Sequence, residues 1–214
     1  MDKEAMKSQR AAFFKMECAM FRSNINKAFT GLPGSTFFDQ ITADAQVVNA
    51  GGSGGKSVWL LRFAEDGISV IAGNDGRIDM ATEDAVVQLV DSSGRPYTGL
   101  HRSLLGWFGL QVGSKYDAAR IVNLDGTAGH TLTDDMIADA LSRFPSDRKP
   151  THIVMSRDPL KELRQSRTAT NPTGAPAPFP TEAFGYPIVE TEALNVTEAA
   201  INTTTTTTTT STQA

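Results

Sequence analysis

The sequence predicts an α+β fold with helices laid on a sheet, and three observations predict it. Short runs rich in β-branched and aromatic residues at 57–63, 67–73 and 85–90 are separated by Gly and Asp. The segment 132–144 places Leu132, Met136, Ile137, Ala140, Leu141 and Phe144 on one helical face. A strand, a turn and a helix then follow between 151 and 167, the order in which a helix packs back onto a sheet.

Composition sets the frame for these elements. A chain of 214 residues, 40% of them apolar, suits one good-sized domain or two small ones. Twenty basic residues against twenty-four acidic ones give a net charge of -4, and the Lys and Arg are scattered. A grip on phosphate needs clustered positive charge, so nucleic-acid binding is not indicated. The single cysteine, Cys18, cannot form an internal disulfide, so the chain reads as intracellular and Cys18 as a small buried apolar residue. No run approaches eighteen apolar residues, so no membrane span is expected. Glu4 and Glu17 make the N-terminus a poor signal peptide.

Taken in chain order, residues 11–29 are read as a helix. Phe14, Cys18, Phe21, Ile25 and Ala28 share a face that Phe13 and Met20 widen, and Leu32-Pro33-Gly34 breaks the pattern. A turn-rich region ends in the Gly/Ser stretch at 49–57, followed by the three strand runs, which the intervening turn residues join as hairpins. Asp91-Ser92-Ser93-Gly94-Arg95-Pro96 is a further turn. Residues 97–124 are strand-like, with Gly99, Gly106, Gly109 and Gly113 marking bulges or bends, and Trp107, Phe108 and Tyr116 packing in a core or between subunits.

The 132–144 helix is capped by Thr131 or Thr133, carries Asp134 and Asp135 at its positive end and stops at Pro145. After the buried strand 151–156, Asp158 as cap and Pro159 at the first helical position start a helix to about Arg167. Pro, Gly and Thr at 168–185 indicate an extended arm or loop, 186–191 a last strand, and the threonine run beyond 201 a disordered tail.

Few motifs carry chemistry. Ala50-Gly-Gly-Ser-Gly-Gly-Lys56-Ser57 is a permissive match to a phosphate-binding loop, but that chemistry needs a following helix, and a strand pattern follows here. The preferred reading is a flexible loop or hairpin. His101, His130 and His152 are far apart in sequence, without metal-ligand spacing. Asp75 and Asp79 flank a turn and lack the later ligands of a calcium loop. Arg157, Lys161, Arg164 and Arg167 lie near one another on a helix surface, as a solvated face, an intersubunit ion-pairing face or, less favoured, a nucleic-acid contact.

Several stretches together resemble the major capsid proteins of short-tailed and related bacteriophages. They are residues 27–34 (KAFTGLPG), the GG-SVWLLRF passage, 106–126 (GWFGLQVGSKYDAARIVNLDG), the helix LTDDMIADALSRFP, 149–169 and 171–194. The resemblance runs from about residue 16 to 200. It implies a partial Hong Kong 97-like capsid fold, an axial domain plus part of a peripheral domain, without the usual N-terminal arm and extended loop.

The implied domains are a spine-helix remnant at 1–35, a β-rich region at 36–130, an α/β part of the axial domain with its Pro-rich arm at 131–200, and the tail at 201–214. The implied function is that of a non-enzymatic subunit, self-associating through pentamers and hexamers into an icosahedral head around DNA. The subunit would be found in the virion, and in host cytoplasm during assembly. Catalytic, cofactor and metal residues are none; membrane and small-molecule partners are none, and packaged DNA is only a non-specific neighbour. Two alternatives stand beside this reading. One is a truncated or accessory virion protein that binds full-length coat protein, and the other a nucleotide-binding enzyme using loop 50–57.

Overall fold

The computed structural model describes residues 2–22, 31–42, 45–80, 85–101, 103–167, 178–194 and 197–201. Three helices are seen among them: α1 (Asp2–Phe21), α2 (Asp134–Ser142) and α3 (Arg157–Ser166). The strands are β1 (Val47–Asn49), β2 (Gly54–Leu61), β3 (Ile68–Ala72), β4 (Asp79–Met80), β5 (Ala85–Val90), β6 (Pro96–His101), β7 (Leu104–Leu105), β8 (Phe108–Val112), β9 (Ala118–Leu124), β10 (His152–Met155), β11 (Glu182–Ala183), β12 (Tyr186–Glu190) and β13 (Glu198–Ala199).

The body is a mixed sheet in the order β1-β9-β2-β10-β12-β11, with β13 pairing the Gly54–Gly55 opening of β2. β2 runs antiparallel to both β9 and β10, whereas β1 is parallel to β9 and β12 to β10. Its central strands are apolar at nearly every position because both faces of the sheet are covered, and strand alternation assigns each side chain to one face. Val58, Leu60, Ala119, Ile121, Ile153 and Met155 pack with Leu132, Ile137, Ala140, Leu160 and Leu163 of the α2 and α3 layer. Trp59, Leu61, Ala118 and Val154 point the other way, onto Cys18, Met20 and Phe21 of α1 and onto Leu32, Phe38, Ala193 and Leu194.

The two later helices begin as their sequences dictate, with one shift of register. Thr133 caps α2 by accepting the Met136 N–H, and its first turn carries Asp134 and Asp135. α3 starts two residues earlier than the Asp158 cap predicted: Ser156 occupies the cap and Arg157 opens the helix. Pro159 still falls within the first turn, where its missing N–H costs no intrahelical bond.

Several other expectations are corrected. α1 spans Asp2–Phe21 rather than beginning at residue 11, and Phe13 and Phe14 are exposed while Cys18, Met20 and Phe21 are buried. Ile25 and Ala28, assigned to the same face, lie outside the described residues. Strands β2 and β3 do not form a hairpin: β2 pairs with β9 and β10, β3 with β8. Gly106 and Gly113 do sit at strand breaks, but Gly99 and Gly109 stand in regular register opposite Val87 and Ile71. The end of the predicted loop 168–185 is structured: β11 (Glu182–Ala183) folds over Phe184 and Gly185 in a tight hairpin onto β12, the strand expected at 186–191; residues 168–177, like the threonine tail from 202, lie outside the described residues.

Candidate functional site

Between β2 and β9 the chain leaves the body as a two-stranded ribbon. β3 pairs with β8, β4 with β7 and β5 with β6, so the described residues between 68 and 112 pair outward and back as three successive two-stranded segments. The tip turns at Asp91, whose Oδ1 accepts the N–H groups of Ser93 and Arg95 at 2.8 Å each, with Gly94 at φ 79° taking the left-handed position.

Directly opposed residues of an antiparallel pair share a face. Val86, Val90 and Pro96 therefore lie on one face of the distal ribbon, and Val87, Leu89 and Tyr97 on the other. The ribbon is thus apolar on both sides. Val86 is 70% exposed, Val90 65% and Tyr97 51%, and Trp107 nearer the body is 61% exposed. Of the three aromatics expected in a core or intersubunit contact, Trp107 and Tyr116 are exposed and Phe108 is half-buried.

The root of the ribbon is clamped. The Gly113 N–H donates to the Gly67 carbonyl at 3.0 Å, and a side chain at 113 would collide with the Asp66 carbonyl oxygen. Arg62 bridges Asp66 at 2.8 Å and buried Asp117 at 3.2 Å, while Arg148 reaches Asp66 at 3.3 Å and Asp117 at 3.5 Å. The hydrogen bond from Arg62 holds the Asp66 carboxyl below its ordinary range.

A second exposed apolar feature is the outer half of α1. Met6, Arg10, Phe13 and Phe14 recur at i, i+4, i+7 and i+8 along one flank. Another flank, with Gln9, Ala12, Phe13 and Met16, lines a cleft shared with Ile78, Gly106 and Phe108 at the base of the same chain's ribbon.

Only the first half of the Gly-rich stretch 50–57 is the loop expected of it, since residues 50–53 lie outside any strand and 54–57 belong to β2. β2 begins at Gly54, and Gly54 and Gly55 adopt φ 121° and 111°, where a Cβ would strike the Glu198 and Leu124 carbonyl oxygens. The glycines are there for close strand pairing, and Lys56 is in the strand, bridging Asp158 at 3.3 Å and Glu162 at 3.4 Å. Glu162 in turn accepts the Leu132 N–H. With a strand after the glycines, no helix N-terminus faces this segment as a phosphate loop requires.

The basic helix surface is also used inside the chain. Arg167 makes a fork to Asp134 at 2.7 and 2.8 Å, Arg164 lies over the Phe179 ring at 5.2 Å, and Arg157 sits 3.8 Å from Glu190. Sequence reading weighed solvent, subunits and nucleic acid for this face and missed these partners, which lie in separate segments. The structure scatters the histidines: His101 is in the ribbon, His130 contacts Thr127 and Asp125, and His152 hydrogen-bonds Thr151. Asp75 and Asp79 stay in the turn at the base of β4, where Asp79 accepts from Asn74. Among the described residues no group of three or more His, Cys, Asp or Glu could hold a metal ion, and no helix is long and apolar enough to cross a membrane.

One carboxylate gives the body a pH dependence. Asp125 accepts from the Thr127 hydroxyl at 2.6 Å, the Thr127 N–H at 2.9 Å and the Ser53 N–H at 3.1 Å, and these bonds hold it far below the ordinary carboxylate range. A depressed folded value stabilises above the unfolded value of about 4 and loses that contribution as pH falls toward the folded one. The denaturation midpoint is expected to drop as pH is lowered from about 5 to 2, and to drop less in Asp125→Asn.

The geometry offers two unburied apolar surfaces, one on a projecting ribbon and one on a helix, on a well-packed body. In comparisons with known proteins, the family model described as Major capsid protein GP7 matches residues 5–202. No curated protein matches the chain.

Proposed function

This chain belongs to the family of major capsid proteins GP7, and from that premise we propose that copies of it close into an icosahedral shell around packaged DNA. Family membership makes it a structural capsid subunit of the virion, a role that calls for no enzymatic chemistry. The finer reading takes the body as a variant of the Hong Kong 97 capsid fold and its capsomers as pentamers and hexamers.

The observation that carries this reading is the ribbon. An isolated two-stranded ribbon is at best marginally stable in water, and one with apolar side chains on both faces has every reason to be covered by another surface. A shell supplies such cover by symmetry, since one chain repeats the same contacts around each axis. The net charge of -4 suits an inner wall that tolerates DNA without gripping it.

Electron microscopy of the purified chain, concentrated and separated by size, tests this. Closed shells, rings or capsomer-sized pentamers and hexamers are expected. Monomers alone across a range of salt would overturn it, and would favour an accessory virion protein that needs full-length coat protein as a partner.

A further inference from the structure

Resting on the reading that copies assemble, we infer that neighbours pair through two helices. The acidic outer face of α2 on one subunit lies against the basic outer face of α3 on the next.

Placement allows it. α2 packs over β9 and β1 at one end of the sheet, where Arg143 donates to the Ala45 carbonyl at 2.7 Å. α3 lies toward the other end, with Arg157 beside Glu190 of β12 and Arg167 donating to the Glu182 carbonyl of β11 at 3.3 Å. Rotation about an axis across the sheet carries the α2 end of one subunit to the α3 end of the next, a head-to-tail contact that can close into a ring. The other basic helix, α1, packs on the opposite face of the sheet and is out of level with α2 in such a ring.

Charge selects the partners. Asp135, Ala138, Asp139 and Ser142 recur at i, i+3, i+4 and i+7 and are all exposed. α2 has three acids and no base, and among the described residues only Asp134 has an ion-pair partner, Arg167. On α3, Asp158 and Glu162 are taken by Lys56, which leaves Arg157, Lys161 and Arg164 as its outer charges.

Two of these charges oppose their own helices. Asp139 falls in the last turn of α2, at the negative end of the macrodipole, and Arg157 opens α3, at the positive end. Glu190 is a loose partner for Arg157 at 3.8 Å and leaves it 75% exposed. Set antiparallel, the two helices bring Asp139 to Arg157 and Asp135 to Lys161, since both pairs are spaced four residues, about 6 Å, apart. Each misplaced charge then has the partner its own helix denies it, and complementary charge fixes the register. Phe184 adds an apolar anchor beside α3. It stands 56% exposed at the tip of the β11–β12 hairpin with φ 52°, a costly conformation for a bulky residue.

Charge exchange tests the pairing. Asp139→Lys and Arg157→Glu each install a charge that suits the helix dipole, so neither is expected to lower the melting temperature of the monomer. Either variant alone puts like charges together at every contact and is expected to weaken assembly about tenfold or more. Mixed, the two regain opposite charges at every contact of a ring in which they alternate, so even-numbered rings such as hexamers are expected to return. Phe184→Asn, which suits the left-handed turn, is expected to weaken assembly severalfold at unchanged melting temperature. Undiminished assembly in these variants, or no recovery when the charge variants are mixed, overturns the pairing and leaves the capsid reading intact. Failure of the unaltered chain to associate overturns both.

Discussion

Replacing Arg120 with leucine is expected to destabilise the folded chain by about 3–5 kcal/mol, the cost of leaving one member of a buried ion pair unpartnered. Arg120 is 3% exposed in the middle of β9, and all three of its guanidinium nitrogens donate into the body. It reaches Glu198 at 2.8 Å, the Phe38 carbonyl at 2.8 Å, Ser57 Oγ at 3.1 Å and Asp39 at 3.4 Å, and stacks over the Trp59 ring at 5.0 Å.

Leucine would match the neighbouring core in polarity yet strand the Glu198 carboxylate, the Phe38 carbonyl and Ser57, which itself hydrogen-bonds Glu198. Arg120→Lys should recover part of the loss, since an ammonium restores the charge without the planar fork. Glu198→Gln should cost less than Arg120→Leu, because the guanidinium keeps its other partners. Urea midpoints for the three variants check that order.

The opposite profile is expected for the ribbon. Val86→Asp combined with Trp107→Asp should abolish assembly while shifting monomer stability by no more than about 0.5 kcal/mol, as is usual for exposed substitutions. Losing an anchor in a protein interface costs about 2 kcal/mol, roughly thirtyfold in affinity at each contact, and a shell repeats the loss in every subunit. Sedimentation velocity and thermal melting on the same sample separate the two effects. Full-sized assemblies in the variant would remove the ribbon from the assembly contacts.

Much of the body was legible in the sequence because each part of it obeys a local rule. The 132–144 pattern, the run at 57–63 and the strand before α3 are strong signals of period and length, and each appears within a few residues of its expected place. Pairing was less legible. Gly and Asp between 63 and 67 look like a hairpin turn, yet the strands on either side separate, because β2 finds its neighbours 57 and more residues later, at Ala118 and His152. A local turn signal carries no information about so distant a partner.

The Gly-rich segment misled for a related reason. Glycine marks both a flexible loop and a close backbone approach, and only the carbonyl oxygens of Glu198 and Leu124 beside Gly54 and Gly55 decide between them. Arg120 gave no warning either: a lone arginine between Ala119 and Ile121 is read as strand interior, and its acid lies 78 residues away. The ribbon was half visible. Strands β3 and β5 and the tip turn were read, β4 was missed, and β6, β7 and β8 were run together with β9 as one stretch; Trp107 was left open between core and subunit contact, a choice that only its exposure narrows.

The ribbon's point of insertion has a consequence for how such chains diversify. β2 and β9 are adjacent antiparallel strands whose pairing ends at Leu61 and Ala118, and the Arg62 N–H still donates to the Asp117 carbonyl at 2.8 Å. The whole excursion is therefore grafted onto what would otherwise be a simple turn between two neighbours. Loop-closure entropy grows only logarithmically with length, so lengthening or trimming the graft costs the body little. Selection can revise its size and surface as freely as a surface loop, while the strands that carry it stay in register. Relatives could thus share one body and differ in how far, and with what chemistry, each reaches toward its neighbours.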